Sequence, residues 1–460
     1  MEWILNIRRA ARAMGGEIHN CDGDELIQAV STDTRKIASG ALFFALSGER
    51  FDGHKFVPDA VAAGAVCCVV SRDAESFGSL PVIVVEDTHK ALRDLAEAYR
   101  KRFQVPVVGI TGSVGKTSTK EMIASVLGEN FRTHVTKGNF NNEIGLPLTV
   151  FDLQEEDEMM VLEMGMSNFG EISRLTKIAK PDTAVITNIG VSHIEHLGSR
   201  EGIRQAKFEI MEGLQMDGTV ILNGDDDLLW EARGDIEFET LYFGIHNKNC
   251  DLCVSEIRSF SDGSEFTCKI DGEMQKFSIG VPGEHHVYNA LAAILVGMKY
   301  NIGVGDIKAG IRKFSPSGLR QTLIEYPNYK VIRDCYNASP ASMKSGLEVL
   351  SLTETTGRRV ACLADMLELG AISQKAHLAV GKLAVKYGVE CLITVGQEAK
   401  MIAQGAIEEG MNPADIHQFE TNAELIEKLA VVLRKQDLIL VKGSRGMRLE
   451  EIADAIGEMA

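Results

Sequence analysis

The stretch VPVVGITGSVGKTSTKEMIASVL, residues 105–127, sets the reading of the whole chain. Val105, Val107, Val108 and Ile110 form a short β-branched run of the kind that makes a buried strand. Gly112, Ser113, Val114, Gly115, Lys116, Thr117 and Ser118 follow, and then Met122, Ile123, Val126 and Leu127 recur at helical spacing. Strand, glycine loop and helix in that order are the setting of a phosphate-binding loop. Gly112 and Gly115 let backbone N–H groups crowd around phosphate oxygens, and the new helix turns its positive end to the same place. Lys116 is placed to reach the β and γ phosphates and the Thr117 hydroxyl to ligate Mg²⁺. The common spacing would put the first glycine at position 110, which is Ile110; here the glycines fall at 109, 112 and 115. The chain is expected to bind a nucleoside triphosphate.

Outward from this loop, residues 101–313 read as one α/β domain. Lys137–Gly145 is a Gly/Asn-rich loop. The run Met159–Leu162 reads as a strand ending on Glu163, where a phosphate-loop ATPase keeps its Mg²⁺-organising carboxylate. Ala184–Ile189 reads as a second strand, delivering the loop Gly190–Ser199 with His193 and His196 to an edge where open sheets bind ligands. Gly202–Leu214 is an expected helix whose Lys207, from composition alone, reads as solvated. Residues 219–281 alternate strand and turn signals. A helix over Val287–Met298 follows, with His285-His286 before it and Asn289 in its first turn.

Residues 1–100 form an expected first unit, with a helix from Trp3 to Met14, a helical Phe56–Ala63 and a strand Val66–Val70. Its two polar loops, Ser31–Arg35 and Gly48–His54, suit ligand binding or simple solvation equally. Residues 314–460 form a third unit. There the strands Lys330–Arg333, Val360–Leu363, Cys391–Val395 and Asp437–Val441 alternate with helical patterns near 341–350, 375–387, 397–409, 422–434 and 448–457. That alternation predicts a parallel sheet with right-handed crossovers. Polar groups collect at its strand ends: Asp334–Asn337, Asp365-Met366 and Lys442–Arg445. No G-x-G-x-x-G follows its first strand, which argues against a dinucleotide cofactor.

Composition sets the outer limits. A chain of 460 residues has room for two to four domains, and 45% hydrophobic with 25% charged residues is an ordinary globular balance. A net charge of −17 argues against a nucleic-acid surface. The apolar run near the N-terminus is too short for a secretory signal, and Ala60–Val70 is too short to span a bilayer. Nine cysteines without framework spacing read as reduced thiols in a cytoplasmic protein. Cys250 and Cys253 lack the second pair that a zinc site needs.

The ordered motifs TGSVGKT, NFNNEIGLP, LEMGMS, TNIGVSHIEHLGS, QAKFEI, HHVYNALAA, DCYNASP, ADMLELG and KGSR cover essentially the whole chain and resemble the Mur ligases. The resemblance implies a three-domain α/β protein: a small UDP-sugar-binding domain (1–100), a central ATPase domain with a mostly parallel sheet (101–313) and a C-terminal Rossmann-like domain (314–460). It implies a reaction in which ATP phosphorylates the terminal carboxylate of UDP-N-acetylmuramoyl-tripeptide and D-alanyl-D-alanine attacks the acyl phosphate, in cytoplasmic peptidoglycan precursor synthesis. Two Mg²⁺ ions are implied with it.

By that resemblance Lys116 is the phosphate-loop lysine, Thr117 and Glu163 are Mg²⁺ ligands and His193 lies near the second metal. Lys207 is the lysine carried as a carbamate, which replaces a cationic head with an anionic oxygen ligand. Asn289 contacts adenine, and Arg320 and Asp334 hold ATP. Ser31, Thr34, Arg35, Asp52 and His54 lie in loops that grip the UDP-sugar, and Lys442 and Arg445 face substrate carboxylates. A monomer without nucleic-acid or membrane partners is expected. Ser339-Pro340 and Asp334-Cys335 depart from the family's Asn-Pro and paired aspartates. The main rival is the preceding ligase of the series, which adds a diamino acid; its Asp-Asn-Pro-Arg motif is missing here. Folylpolyglutamate synthetase has no UDP-sugar domain. A GTP-binding switch would need Asn-Lys-x-Asp, whereas Asn247-Lys248 is followed by Asn249-Cys250.

Overall fold

The computed structural model describes residues 5–48, 51–316 and 318–459. Trp3, in the expected first helix, and Glu49 and Arg50, in the expected Gly48–His54 loop, lie outside these. The chain divides into two compact units. One comprises Met1–Thr111, Phe131–Ala184 and Phe208–Thr219, the other Gly112–Asn130, Val185–Lys207 and Val220–Ala460.

The first unit opens with the helix Ile7–Met14, capped by the Asn6 side chain on the Arg9 N–H and stopped by Gly15 in the left-handed region. A five-stranded sheet follows, in the spatial order Glu17–His19, Val82–Val84, Ala65–Val70, Ala41–Phe44, Ala29–Ser31. All its pairings are parallel except the first. Asp87 caps the helix Thr88–Arg100, which leads to the strand Val107–Thr111. That strand is buried along its full length, as its apolar run predicts. Beside it in parallel lies Met159–Glu163, which pairs on its other side with Thr133–Val135. Glu163 thus sits at the carboxyl end of a buried parallel strand, as expected.

In the second unit the phosphate-loop helix is Lys116–Leu127. Met122, Ile123, Val126 and Leu127 are all fully buried, and the helix packs on Glu284–Lys299 and Val304–Lys313. A Cβ on Gly310 would stand 2.5 Å from the Val126 Cα, so this crossing is as close as a glycine permits. Strand Glu239–Gly244 pairs in parallel with Leu252–Phe260, and a meander through Gly263–Ile270 and Glu273–Ile279 follows.

The remaining sheet has the order Thr322–Glu325, Lys330–Arg333, Leu438–Lys442, Arg359–Ala364, Cys391–Val395, Ile416–Phe419. It is parallel apart from the first strand. Successive side chains serve opposite cores: Val360, Cys362, Ile439 and Val441 on one face, Ala361, Leu363, Leu438 and Leu440 on the other. Both faces are covered, so the strands read as unbroken apolar runs. The two outer strands were absent from the sequence reading because edges bury little; Leu323 is 45% exposed. The expected helix over 422–434 is two short ones, Asn422–Ile426 and Leu429–Val432. No helix among the described residues is long and apolar enough to cross a membrane.

Candidate active site

The phosphate loop leaves its strand through Gly112, at φ +152°, and enters its helix through Gly115, at φ +86°. A Cβ on Gly112 would lie 1.8 Å from Thr187 Oγ1, so only glycine fits. Gly115 carries no side chain to cap the helix it begins, which leaves that end suited to an anion. The loop is clamped by the segment after the strand Thr183–Ile186. Val114 N–H donates to Asn188 Oδ1 at 3.0 Å; Asn188 Nδ2 and Thr187 Oγ1 donate to the Val114 carbonyl at 3.0 and 2.6 Å. Gly190 N–H donates to Ser113 Oγ at 2.8 Å. Lys116 Nζ donates to the Gly112 carbonyl at 2.8 Å, folding its ammonium over the loop. Thr187 and Asn188 were missed as site residues. Their signal was two polar residues where an apolar strand ends beside a phosphate loop.

Lys207 lies in the last turn of the helix Arg200–Phe208 and is 3% exposed, which corrects the solvated reading from composition. Burial first, and the charge of Lys116 second, push its amine well below the usual lysine range. The expected helix passes after Phe208 into a tighter turn over Glu209–Gly213. His193 lies at φ +63°, and its Nδ1 is hydrogen-bonded to the Glu368 carboxylate. Burial pushes its titration down, opposed by Glu368. Asn289 is buried in the helix Glu284–Lys299 and accepts from Thr119 Oγ1 at 2.9 Å. His285 and His286, ring centroids 4.0 Å apart, both donate through Nε2 to Gln321 Oε1, at 2.8 and 3.1 Å. This ties the helix carrying Asn289 to the neighbour of Arg320, whose guanidinium stacks over Tyr336 at 3.8 Å.

Asp334 and Lys442, expected to meet ATP and substrate respectively, meet each other. Lys442 Nζ donates to Asp334 Oδ2 at 2.7 Å and to the Asn337 carbonyl at 3.1 Å, and both side chains are buried. Arg445 is exposed and bound to Glu450.

In the first unit, Glu163 is 1% exposed and accepts from Asn141 Nδ2 at 2.7 Å. Asn141 belongs to the Gly/Asn-rich loop. Ser31 Oγ accepts from Asp33 N–H and donates to its carbonyl, Thr34 opens a short 3₁₀ turn, and Arg35 pairs bidentately with Asp33. Asp52 accepts from His54 Nδ1 at 2.8 Å, and the His54 Nε2 lone pair takes the Ser71 N–H at 3.0 Å, which fixes the tautomer. With Ser47 and Arg72 also donating, the Asp52 carboxyl is pushed down to about 2. His54 is thereby a buried brace for the loop carrying Asp52.

These residues fit a nucleotide and Mg²⁺. In the second unit the strained glycine loop forms a cradle that a Cβ would fill, the Lys207 amine is buried within reach of the Lys116 charge, and Thr117 supplies a hard oxygen donor; in the first unit the buried Glu163 supplies another. Among the described residues no three His, Cys, Asp or Glu side chains converge to cage a metal alone.

Comparison with known proteins agrees. Residues 26–100 match the Mur ligase family catalytic domain, 110–297 the Mur ligase middle domain and 320–445 the Mur ligase glutamate ligase domain. The UDP-N-acetylmuramoyl-tripeptide–D-alanyl-D-alanine ligase of Bacillus subtilis is 41% identical over 449 residues, 97% of each chain. That of Escherichia coli is 36% identical, over 97% of this chain and 96% of its own. MurF from Acinetobacter baumannii superposes with a TM-score of 0.89 at 30% identity, over 100% of this chain and 99% of that one. MurF ligase from Thermotoga maritima, solved with ADP, gives 0.81 at 26% identity over 94% and 97%. Its sequence motifs, its α/β architecture and these full-length likenesses together place the chain in the Mur ligase family.

Proposed function

We propose that this protein is the ATP-dependent ligase that joins D-alanyl-D-alanine to UDP-N-acetylmuramoyl-tripeptide in peptidoglycan precursor synthesis. What carries the reading is one chain holding the phosphate loop, a buried Lys207 and three successive Mur ligase segments. Residues 1–100 would bind the UDP-sugar, 101–313 ATP, and 314–460 complete the ligase. The protein would act in the cytoplasm as a monomer, without nucleic-acid or membrane partners.

The loop from Gly112 to Ser118 would wrap the ATP phosphates, with Lys116 swinging from the Gly112 carbonyl to the β and γ phosphates. Asn289 would meet the adenine, and Arg320 and Asp334 would hold the nucleotide. Thr117, Glu163, His193 and Lys207, the last carbamylated by CO₂, are the residues that would hold two Mg²⁺. Bound there, the ions would neutralise charge on the phosphates and on the developing oxyanion. The tripeptide's terminal carboxylate would attack the γ phosphorus, releasing ADP. The dipeptide amine would then add to the acyl carbon, and loss of inorganic phosphate would leave the new peptide bond. Such a sequence rests on positioning and charge neutralisation. Ser31, Thr34, Arg35, Asp52 and His54 would shape the UDP-sugar site, with the exposed Arg445 toward the substrate carboxylates.

The test omits each component in turn from ATP, Mg²⁺, UDP-N-acetylmuramoyl-tripeptide and D-alanyl-D-alanine. ADP and phosphate release should need all four and give a product heavier by the dipeptide less water. Turnover with a diamino acid and the UDP-dipeptide in place of these substrates would transfer the assignment to the preceding ligase.

A further inference from the structure

Glu368 lies in the ADMLELG motif, to which the reaction scheme above gives no part. Its backbone is left-handed, at φ +61°, and so is that of His193, at φ +63°, the residue it faces. Such a conformation is uncommon in residues other than glycine and persists only where the surroundings hold it. Here they do. Met366 N–H donates to Nε2 of the fully buried His377 at 2.9 Å, and His377 Nδ1 donates back to the Ser373 carbonyl at 2.8 Å. Leu367 N–H donates to Ser444 Oγ at 2.9 Å, and Ser444 N–H to the Asp365 carbonyl at 3.2 Å. The Asp365 carboxylate accepts the Ala399 N–H at 2.7 Å. Every residue from 365 to 367 is therefore fixed by buried groups, while Glu368 and its neighbour Leu367 project outward, each 44% exposed.

At the other end, Glu195 N–H donates to the Glu368 carbonyl at 3.4 Å, and Gly370 lies against Glu195, where a Cβ would stand 3.5 Å from that of the glutamate. The two turns are thus docked by their backbones as well as by the imidazole–carboxylate bond. A carboxylate only accepts, so Nδ1 of His193 must carry the proton, and Nε2 is left with its lone pair. The charges of Lys116 and Lys207 act on the same imidazole, so it sits within the electrostatic reach of the phosphate loop. Ordinary loop packing needs no carboxylate at this point, and no strained pair.

We infer that Glu368 is a positioning residue for the ligase reaction, holding the His193 ring in one tautomer and one orientation so that Nε2 is presented to the reacting phosphate–Mg²⁺ assembly. A carboxylate behind a ligating histidine fixes its tautomer and raises its basicity. The inference rests on the proposed placement of His193 at the reaction centre.

The test compares Glu368→Gln, Glu368→Asp, His193→Gln and the Glu368→Gln/His193→Gln double variant. Two quantities are read: steady-state kinetics, and Mn²⁺ affinity by electron paramagnetic resonance with a non-hydrolysable ATP analogue bound. Glu368→Gln should lower kcat about 10–100-fold and weaken Mn²⁺ binding by a similar factor. KM for the UDP-tripeptide and for D-alanyl-D-alanine should hold. Glu368→Asp, which keeps the charge, should recover part of both losses, and the double variant should be no worse than His193→Gln alone. Should Glu368→Gln melt early, the Glu368→Asp and His193→Gln comparison still decides. Normal kcat and Mn²⁺ affinity in Glu368→Gln beside a crippled His193→Gln would overturn the positioning role and leave the His193 reading intact. An unimpaired His193→Gln would overturn both.

Discussion

Lys442 shows how a side chain picked out for a ligand can be committed to the fold. Its ammonium and the Asp334 carboxylate are buried against each other at 2.7 Å, and the Asn337 carbonyl takes a further proton of the amine. Removing one partner leaves a buried, uncompensated charge, which costs about 3–5 kcal/mol. Lys442→Met and Asp334→Asn should each lower the urea midpoint accordingly, and the double variant should lose much less than the sum, because the charge left behind by one change is deleted by the other. A lysine whose main task is gripping a substrate carboxylate would behave otherwise. Lys442→Met would then leave the urea midpoint in place and raise the KM of the UDP-tripeptide. Arg445, exposed and paired only with Glu450, is the better candidate for that pattern.

The strand–loop–helix of residues 107–127 was readable almost residue by residue, because a β-branched run, two glycines at forced φ values and a helical apolar stripe leave one solution. The C-terminal sheet was equally open to reading in its buried strands and silent at its edges, where no residue of Thr322–Glu325 or Ile416–Phe419 is fully buried. The clamp on the loop escaped notice. Thr187 and Asn188 lie some seventy residues from Val114 in sequence, and no local pattern announces that distant polar groups will meet. The same holds for Glu368 and His193, and for Lys207, whose burial depends on packing that its own helix does not specify. The clamp makes the loop's glycines unequal. A Cβ on Gly112 would meet Thr187 Oγ1 at 1.8 Å and dislodge the hydroxyl from the Val114 carbonyl, whereas one on Gly115 would meet Asn289 Oδ1 at 3.3 Å. Both carry strained φ, costing about 1–3 kcal/mol for a residue other than glycine. Gly112→Ala should therefore lower kcat/KM for ATP by at least about tenfold more than Gly115→Ala, one tenfold step being about 1.4 kcal/mol. Equal losses would mean that backbone strain alone, and not the clamp, sets the loop's shape.

At Lys207 the stability of the protein is coupled to the proposed carbamate chemistry. The folded amine binds its proton less readily than an unfolded lysine, so between the ordinary lysine value of 10.5 and its own lowered value the unfolded chain holds more protons, and across that window burial weakens the fold as pH falls. A neutral amine is also the form that attacks CO₂, so the environment that disfavours the ammonium favours the carbamate. Anything that binds only the folded chain stabilises it by mass action, by about 2.7 kcal/mol at a hundred times its dissociation constant. Bicarbonate at pH 8 should therefore raise the melting temperature of the wild-type chain by about a few degrees. Lys207→Met keeps the volume and removes the amine. In bicarbonate-free buffer it should melt no lower than wild type, because an apolar side chain replaces a buried basic group without a desolvation cost. It should lose ligase activity and show no response to bicarbonate. Parallel bicarbonate shifts in both proteins would place the CO₂ effect elsewhere in the chain, and an early-melting Lys207→Met would mean that the amine is held by contacts worth more to the fold than its desolvation costs.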